Sequence, residues 1–117
     1  MASAREAVEE HVAAFNAHDT ARVLAGFAPD AVWATGQDVV RGSDSLAELF
    51  DAGLWQLEPS LHVLTLLGEE TLVAAELHET ITVEGARHDF RIAVFFTVEA
   101  GLIQAAKVYR EGSADID

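Results

Sequence analysis

Alternation of apolar and polar residues is strongest in two runs, Thr71–Val83 and Ala86–Val98, which flank the dipeptide Glu84-Gly85. Period-two alternation of β-branched and aromatic residues predicts strands, and a two-residue connection ending in Gly predicts a tight hairpin. With that turn, Val83 lies opposite Ala86 and the two apolar rows share one face of the sheet. This long hairpin is the predicted centre of the fold.

Two polar side chains interrupt the apolar face of the hairpin. In the predicted register Glu79 lies opposite Phe90, and Ile81 lies opposite His88. Glu79 and His88 are then diagonal neighbours with Cα atoms about 7–8 Å apart. A carboxylate and an imidazole at this separation can meet directly or through one water, so this pair is the first candidate for chemistry.

The N-terminal half of the chain has helical periodicity instead. Apolar residues recur at three- and four-residue spacing in Ser3–His18, in the shorter Thr20–Phe27 and in a third helix that Ser43 or Ser45 is expected to cap. His11 belongs to the apolar stripe of the first helix. It is therefore predicted to direct a polar side chain at the core.

Shorter strands are expected between and after the helices, at Ala31–Thr35, Val39–Arg41, Leu61–Leu67 and Leu102–Glu111. Helices first and antiparallel strands afterwards indicate an α+β fold. A strongly bent antiparallel sheet that holds three N-terminal helices would bury both layers. The 117 residues are expected to form a single domain, residues 1–117.

Charge and composition limit the classes of partner and of chemical site that are expected. Seven Lys and Arg against twenty Asp and Glu give a formal charge of −13, which repels nucleic acid and anionic lipid, so neither is expected as a partner. The absence of cysteine excludes thiol nucleophiles and thiolate metal sites and suits a reducing compartment. Without an export signal or an apolar run of membrane length, a cytoplasmic location is expected.

Three local strings carry a family resemblance: residues 12–19 (VAAFNAHD), residues 24–33 (LAGFAPDAVW) and Arg41-Gly42. Their order and spacing resemble the nuclear transport factor 2-like superfamily, which includes ketosteroid isomerases and SnoaL-like polyketide cyclases, over nearly the whole chain. The resemblance implies a cone-shaped α+β fold with a deep pocket for a small apolar organic ligand. It also implies a homodimer through the outer face of the sheet.

The residues that ketosteroid isomerases use are absent. By this resemblance the oxyanion-binding tyrosine falls at His11, the proton-transferring aspartate at Thr35 and the neutral aspartic acid at Val94. Steroid isomerisation by those residues is therefore not expected. Limonene-epoxide hydrolases of the superfamily use an Asp-Arg-Asp set, but a match at Asp89 or Arg91 falls on the outer face unless the register slips by one residue.

The same resemblance places Glu79 and His88 on the pocket side and adds further residues around the ligand. The predicted substrate-binding set is Phe15, Trp33, Thr35, Phe90, Ile92, Phe96, Val108 and, at the mouth, Arg110. On the outer face, Phe95 and Tyr109 are better explained by a dimer contact than by catalysis.

These residues suggest proton transfer. A carboxylate on an apolar face loses hydration, which favours its neutral form unless a cation such as protonated His88 compensates. Glu79 and His88 are then a candidate acid/base couple, with His11 hydrogen-bonded to the same ligand and neither a cofactor nor a metal expected.

The predicted function is a SnoaL-like isomerase, cyclase or dehydratase. A non-catalytic hydrophobic-ligand binder, an epoxide hydrolase-like enzyme and a chain that works through its outer face remain alternatives. In a purely structural interpretation, Glu79 and His88 only satisfy each other.

Overall fold

The computed structural model describes residues 3–110. Its helices are α1 (Ala4–Asn16), α2 (Thr20–Ala25) and α3 (Ser43–Glu48), and α3 continues into a π-helical turn (Leu49–Gly53) and a 3₁₀ turn (Leu54–Leu57). Its strands are β1 (Phe27–Thr35), β2 (Asp38–Arg41), β3 (Ser60–Glu69), β4 (Leu72–Val83), β5 (Ala86–Glu99) and β6 (Leu102–Arg110). Between residues 3 and 110, no helix has both the length and the apolar composition needed to cross a bilayer.

Several predicted element ends differ from the structure, and among them α1 ends at Asn16 instead of His18 and β1 begins at Phe27 instead of Ala31. Strand β1 begins at Phe27, so α2 ends at Ala25, two residues earlier than expected. Helix α3 starts at the backbone of Gly42 without a side-chain cap, so a Ser43 or Ser45 cap was the wrong expectation. Position 111, expected to end the last strand, lies outside the described residues.

The six strands form one sheet in the order β2-β1-β6-β5-β4-β3. All neighbours are antiparallel except β1 and β6, which are parallel, so the sheet is mixed rather than wholly antiparallel. Parallel neighbours need a long connection, and the chain between these two strands supplies it. Register shifts in the β1–β6, β3–β4 and β5–β6 pairs accompany the bend of the sheet around the helices, and the α+β class is confirmed.

The β4–β5 hairpin has the register that alternation predicts. Val83 pairs with Ala86, Ile81 with His88, and Glu79 with Phe90. Both turn residues have positive φ, 51° at Glu84 and 81° at Gly85, as a type I′ hairpin turn requires. The inner face of the hairpin is therefore the predicted one.

Helix α1 packs in the concave side of the sheet and is fixed at both ends. At its start, Ser3 and Glu6 form a capping box, in which each side chain accepts from the other residue's backbone N–H. At its end, Asn16 Nδ2 donates to the Leu61 carbonyl at 2.8 Å, and Asn16 Oδ1 accepts from the Leu61 N–H at 2.7 Å. These contacts hold the buried face of α1, including His11, against the sheet.

Candidate active site

A small internal cavity lies between α1 and the concave face of the sheet. Its volume is about 60 Å³. That is room for a few water molecules or a compact organic group, and well below the ~300–1,000 Å³ of sites that bury a drug-sized ligand. Its described lining is apolar except for four side chains, namely His11, Thr35, Glu79 and Arg110.

Glu79 supplies the buried acid of this wall. It lies on the inner face of β4 because the alternation of the strand directs it there, and its exposure is only 5%. Arg110 Nη1, at the end of β6, donates a hydrogen bond to Glu79 Oε1. The Arg110 guanidinium also lies over the Phe90 ring, 5.7 Å from its centroid, so both charge and stacking hold it at this position.

The Arg110 guanidinium compensates the charge of the buried carboxylate. A buried carboxylate without a cation is strongly unfavourable, and a charge-assisted hydrogen bond offsets part of that penalty. The side chain of Arg110 is 41% exposed whereas that of Glu79 is 6% exposed, so the pair runs from the interior to the rim.

His11 is buried at 3% exposure among four aromatic rings. The ring centroids of Phe15, Phe27, Trp33 and Phe96 lie 5.3–6.1 Å from that of His11. Burial lowers the pKa of His11 to about 4, so the imidazole is neutral at neutral pH. Its Nδ1 is buried without a hydrogen-bond partner among the described residues, which is an uncommon and unfavourable state for a polar atom.

The segment after α3 covers the cavity. Leu49 of the π-helical turn and Leu54 of the 3₁₀ turn both line the cavity. Trp55 anchors this segment to the α1–α2 junction, because its Nε1 donates to Thr20 Oγ1 at 2.8 Å and its ring stacks on His18 with centroids 4.9 Å apart. The size of the cavity therefore depends on the position of this short covering segment.

Most of the predicted ligand-contacting residues line the cavity. They are Phe15, Trp33, Thr35, Ile92, Phe96, Val108 and Arg110, together with His11 and Glu79. Phe90 is not among the lining residues, and its ring instead packs against the Arg110 guanidinium. The structure therefore brings together all but two of the candidate residues.

His88 is the second exception, and it corrects the predicted acid/base couple. The side chain is exposed and does not line the cavity, although it lies on the predicted face of β5. The partner of Glu79 is Arg110, not His88. The reason is that alternation sets the face of a strand but not how far that face is covered, and Val83, at the same end of the hairpin, is also 38% exposed.

The family model of the SnoaL-like domain matches residues 8–106. The chain belongs to the SnoaL-like family. No curated protein matches it significantly. The family assignment agrees with the resemblance seen in the sequence strings.

Solved structures with the same fold are numerous. A LEH-like epoxide hydrolase of M. tuberculosis superimposes with a TM-score of 0.82 at 21% identity, covering 92% of this chain and 81% of that one. SalBIII, an epoxide hydrolase/cyclase-like enzyme of pyran ring formation in the polyether salinomycin, gives 0.82 at 23% identity, covering 91% and 88%. A putative polyketide cyclase of Pseudomonas putida gives 0.76 at 22% identity, covering 93% and 92%. At these identities the likeness establishes the nuclear transport factor 2-like fold alone.

The outer face of this SnoaL-like sheet holds the residues considered for an epoxide hydrolase set. Asp89 is exposed and accepts hydrogen bonds from Thr80 at 2.9 Å, and it lies 3.1 Å from His78 Nε2. Arg91 is exposed on the same face. Because β5 keeps its predicted register, neither residue reaches the cavity.

Several residues that line the cavity of this SnoaL-like domain were not in the predicted set of ligand-contacting residues. They are Leu49, Leu54, Leu61, Leu77 and Val94. Leu77 and Val94 lie in the predicted inner rows of the hairpin, so alternation identifies them. Leu49 and Leu54 belong to the apolar stripe predicted for the third helix, but that pattern gives no sign of the π-helical turn that brings them over the cavity.

Proposed function

We propose that this SnoaL-like chain is a small-molecule enzyme in which Glu79 moves a proton on an apolar ligand held in the cavity. The observation that carries the proposal is a carboxylate of 5% exposure in the cavity wall, with one arginine at the rim as its counter-charge. Carboxylates desolvated in this way are typical of acid/base sites, because water no longer competes for the proton.

The chemistry that this arrangement supports is proton removal next to a carbonyl group. The Glu79 carboxylate accepts the proton, and the electron pair of the broken C–H bond moves onto the carbonyl oxygen. Return of the proton to a different atom completes an isomerisation, and loss of hydroxide or an internal attack gives a dehydration or a cyclisation. None of these steps needs a redox partner.

His11 is the proposed hydrogen-bond donor to the developing oxyanion. A neutral imidazole carries one N–H, and burial keeps His11 neutral because it lowers its pKa to about 4. Donors that are fixed in a dry site stabilise an oxyanion without reorganisation. Thr35, which also lines the cavity, offers a hydroxyl to the same ligand.

Arg110 takes the place that His88 was expected to fill. Its contact with Glu79 orients the carboxylate, and its cation compensates the buried charge. Among residues 3–110, the cavity wall contains neither serine nor cysteine, so a covalent intermediate on a hydroxyl or thiol of those residues has no support.

Deuterium exchange into cyclopentanone tests this proposal. The protein is expected to accelerate exchange of the α-hydrogens of cyclopentanone with deuterium oxide. Proton NMR measures the rate of this exchange. Glu79→Gln is expected to reduce the acceleration by about 100-fold or more, within the range of general acid/base catalysis. Glu76→Gln is the matched control, because Glu76 is an exposed residue on the outer face of the same strand.

The same experiment separates catalysis from binding. Cyclopentanone that raises the melting temperature of the protein without faster exchange would contradict the enzyme proposal and would favour the non-catalytic ligand binder. Equal exchange by wild type and Glu79→Gln would contradict the role of Glu79.

We also propose that the chain forms homodimers through the outer face of the sheet. Phe95 and Tyr109 are 43% and 49% exposed there, and their rings meet edge to face with centroids 5.7 Å apart. Lys107 lies over the Tyr109 ring at 5.3 Å. Aromatic pairs exposed on the central strands of a sheet are better covered by a second copy than left in water.

A further inference from the structure

The rim of the cavity carries a cation that faces both inward and outward. Arg110 lines the internal cavity, and with Thr35 and Val108 it also lines an open groove of about 420 Å³ beside the β1–β2 turn. These three shared residues make the rim the place where the interior meets solvent. A ligand that enters through the groove passes the guanidinium before it reaches His11 and the apolar wall.

Arg110 retains donor capacity at this rim. A guanidinium has five N–H groups in a planar fork, and the contact with Glu79 uses Nη1. The flat face is taken by Phe90, which leaves the edge of the fork for further hydrogen bonds. The side chain is 41% exposed, so its remaining N–H groups can reach a molecule in the groove.

In the part of the chain that the structure describes, the interior of the cavity holds no further cation that could bind a charged group of a ligand. Of the described side chains that line it, His11 is the only titratable one besides this ion pair, and it is neutral because burial lowers its pKa to about 4. The rest of the wall is apolar apart from Thr35. An anionic group would therefore be unfavourable inside the cavity and favourable at the rim.

We infer that the ligands of this site are small monocarboxylates, whose apolar body fills the cavity while the carboxylate binds the fork of Arg110. The inference rests on the proposed function, since it concerns the same cavity, and it specifies the class of substrate. A carboxylate matches the bidentate geometry of a guanidinium edge. The groove is lined by Asp38, Lys107 and Arg110, and of these three described residues Arg110 alone also lines the cavity. One negative charge on the ligand is favoured over several because the protein carries a formal charge of −13.

Glu79 and the ligand then compete for one arginine. In the free protein the guanidinium binds Glu79, and a bound carboxylate shares it. Substituting Glu79 by a neutral isostere should free the fork. This substitution should strengthen carboxylate binding while it removes the proposed proton acceptor, so the two roles respond in opposite directions.

Binding of cyclopentanecarboxylate and of cyclopentanecarboxamide, measured by calorimetry at neutral pH, tests the inference. The two probes have nearly the same shape and differ in charge. Wild type is expected to bind the acid about tenfold more tightly than the amide, as one charge-assisted pair would give. Glu79→Gln should increase this preference, whereas Glu79→Gln/Arg110→Gln should abolish it and retain the amide affinity.

Arg91→Gln is the matched control. Arg91 lines a surface depression together with Arg110, but it lies on the outer face of the sheet and does not line the cavity. The control should keep the preference for the acid. The double variant holds an uncharged pair in place of the ion pair, which keeps the carboxylate from being left buried alone. Equal affinities for the two probes in wild type, or binding of neither, would overturn the inference. Exchange into cyclopentanone does not depend on a carboxylate, so it decides the proposed function separately.

Discussion

Arg110 and Glu79 form an ion pair across an intervening strand. Glu79 lies on β4 and Arg110 on β6, and β5 runs between them with Phe90 beneath the guanidinium. The acid is nearly fully buried, whereas the base is partly solvated. An asymmetric pair of this kind holds the carboxylate in the interior and keeps the cation at the opening of the cavity.

This asymmetry predicts unequal effects of removing each partner. Arg110→Met leaves a buried carboxylate without its cation, and we expect a loss of about 2 kcal/mol in the free energy of unfolding, less than the ~3–5 kcal/mol of fully buried pairs because Arg110 is partly hydrated. Glu79→Gln removes the buried charge itself, so the expected loss is below about 1 kcal/mol. Urea denaturation measures both.

The double variant Glu79→Gln/Arg110→Met completes the cycle. It should recover most of the stability lost in Arg110→Met, because the unpaired charge is gone. Losses that simply add would mean that the two side chains do not interact in solution.

His11 makes the stability of the fold depend on pH. Its pKa is about 4 in the folded protein and about 6.5 when unfolded, so between these values the unfolded chain binds the proton and the folded chain does not. Stability is therefore retained above about pH 6.5 and falls as the pH is lowered to about 4. At about 1.4 kcal/mol per pH unit the His11 contribution to this loss is about 3 kcal/mol.

His11→Phe should remove this contribution and keep the aromatic packing. Because the variant also removes a buried nitrogen without a partner, a gain of about 1 kcal/mol is expected at neutral pH. The pH profile of wild type minus that of the variant isolates His11 from the many carboxylates that titrate nearby. His62→Gln, at an exposed histidine, is the control. Parallel profiles of wild type and His11→Phe would contradict the prediction.

How much of the site the sequence predicts depends on the range of each interaction. Glu79 could be placed because strand alternation and one tight turn fix which face it occupies. His88 could not, since the cover over that face is a tertiary property. The Glu79–Arg110 pair depends on the register between β5 and β6. This register shifts between Thr97 and Val98 of β5, and no local pattern in the sequence predicts that shift.

The fold followed the same rule. The β4–β5 hairpin is local and its register was predicted residue by residue. The parallel β1–β6 pair joins residues far apart in sequence, and neither strand shows in its own pattern which neighbour it takes. Likewise, the spacing of apolar residues after Ser43 predicts a helix but not the π-helical turn that begins at Leu49, a residue that lines the cavity.

The contact of Asn16 with the Leu61 backbone is expected to stabilise the fold independently of the cavity. Asn16→Ala removes both hydrogen bonds to the Leu61 backbone, and the expected loss is about 2 kcal/mol because those backbone groups are partly buried. Asn16→Asp can still accept from the Leu61 N–H but cannot donate to its carbonyl, so its loss should be intermediate. Equal stability of all three proteins in thermal unfolding would contradict the role of this contact.

Truncating a leucine of the covering segment is expected to enlarge the cavity. Leu54→Ala should open space next to the cavity and strengthen binding of larger ketones such as cyclohexanone, measured as a rise in melting temperature with ligand. The half-buried position suggests a loss of about 1–2 kcal/mol in stability, below that of fully buried leucines. Leu67→Ala, at a leucine that is 62% exposed, should change neither quantity. Unchanged ketone binding in Leu54→Ala would mean that this segment does not limit the cavity.

The exposed aromatic pair on the outer face provides the test of assembly. If Phe95 and Tyr109 are covered by a second copy, Phe95→Asp places a charge in the centre of that contact and should shift the protein from dimer to monomer in sedimentation velocity. Val83→Asp is the control, since Val83 is 38% exposed at the end of β4 and lies on the opposite face of the sheet, and it should leave the dimer intact. The melting temperature then separates loss of the interface from unfolding of the variant as the cause of a shift to monomer. A monomeric Phe95→Asp that melts at a temperature independent of protein concentration, while wild type becomes more stable at higher concentration, fits a lost interface. A wild-type protein that is monomeric at every concentration would exclude the outer face as a dimer surface, and the site would then have to function within one chain.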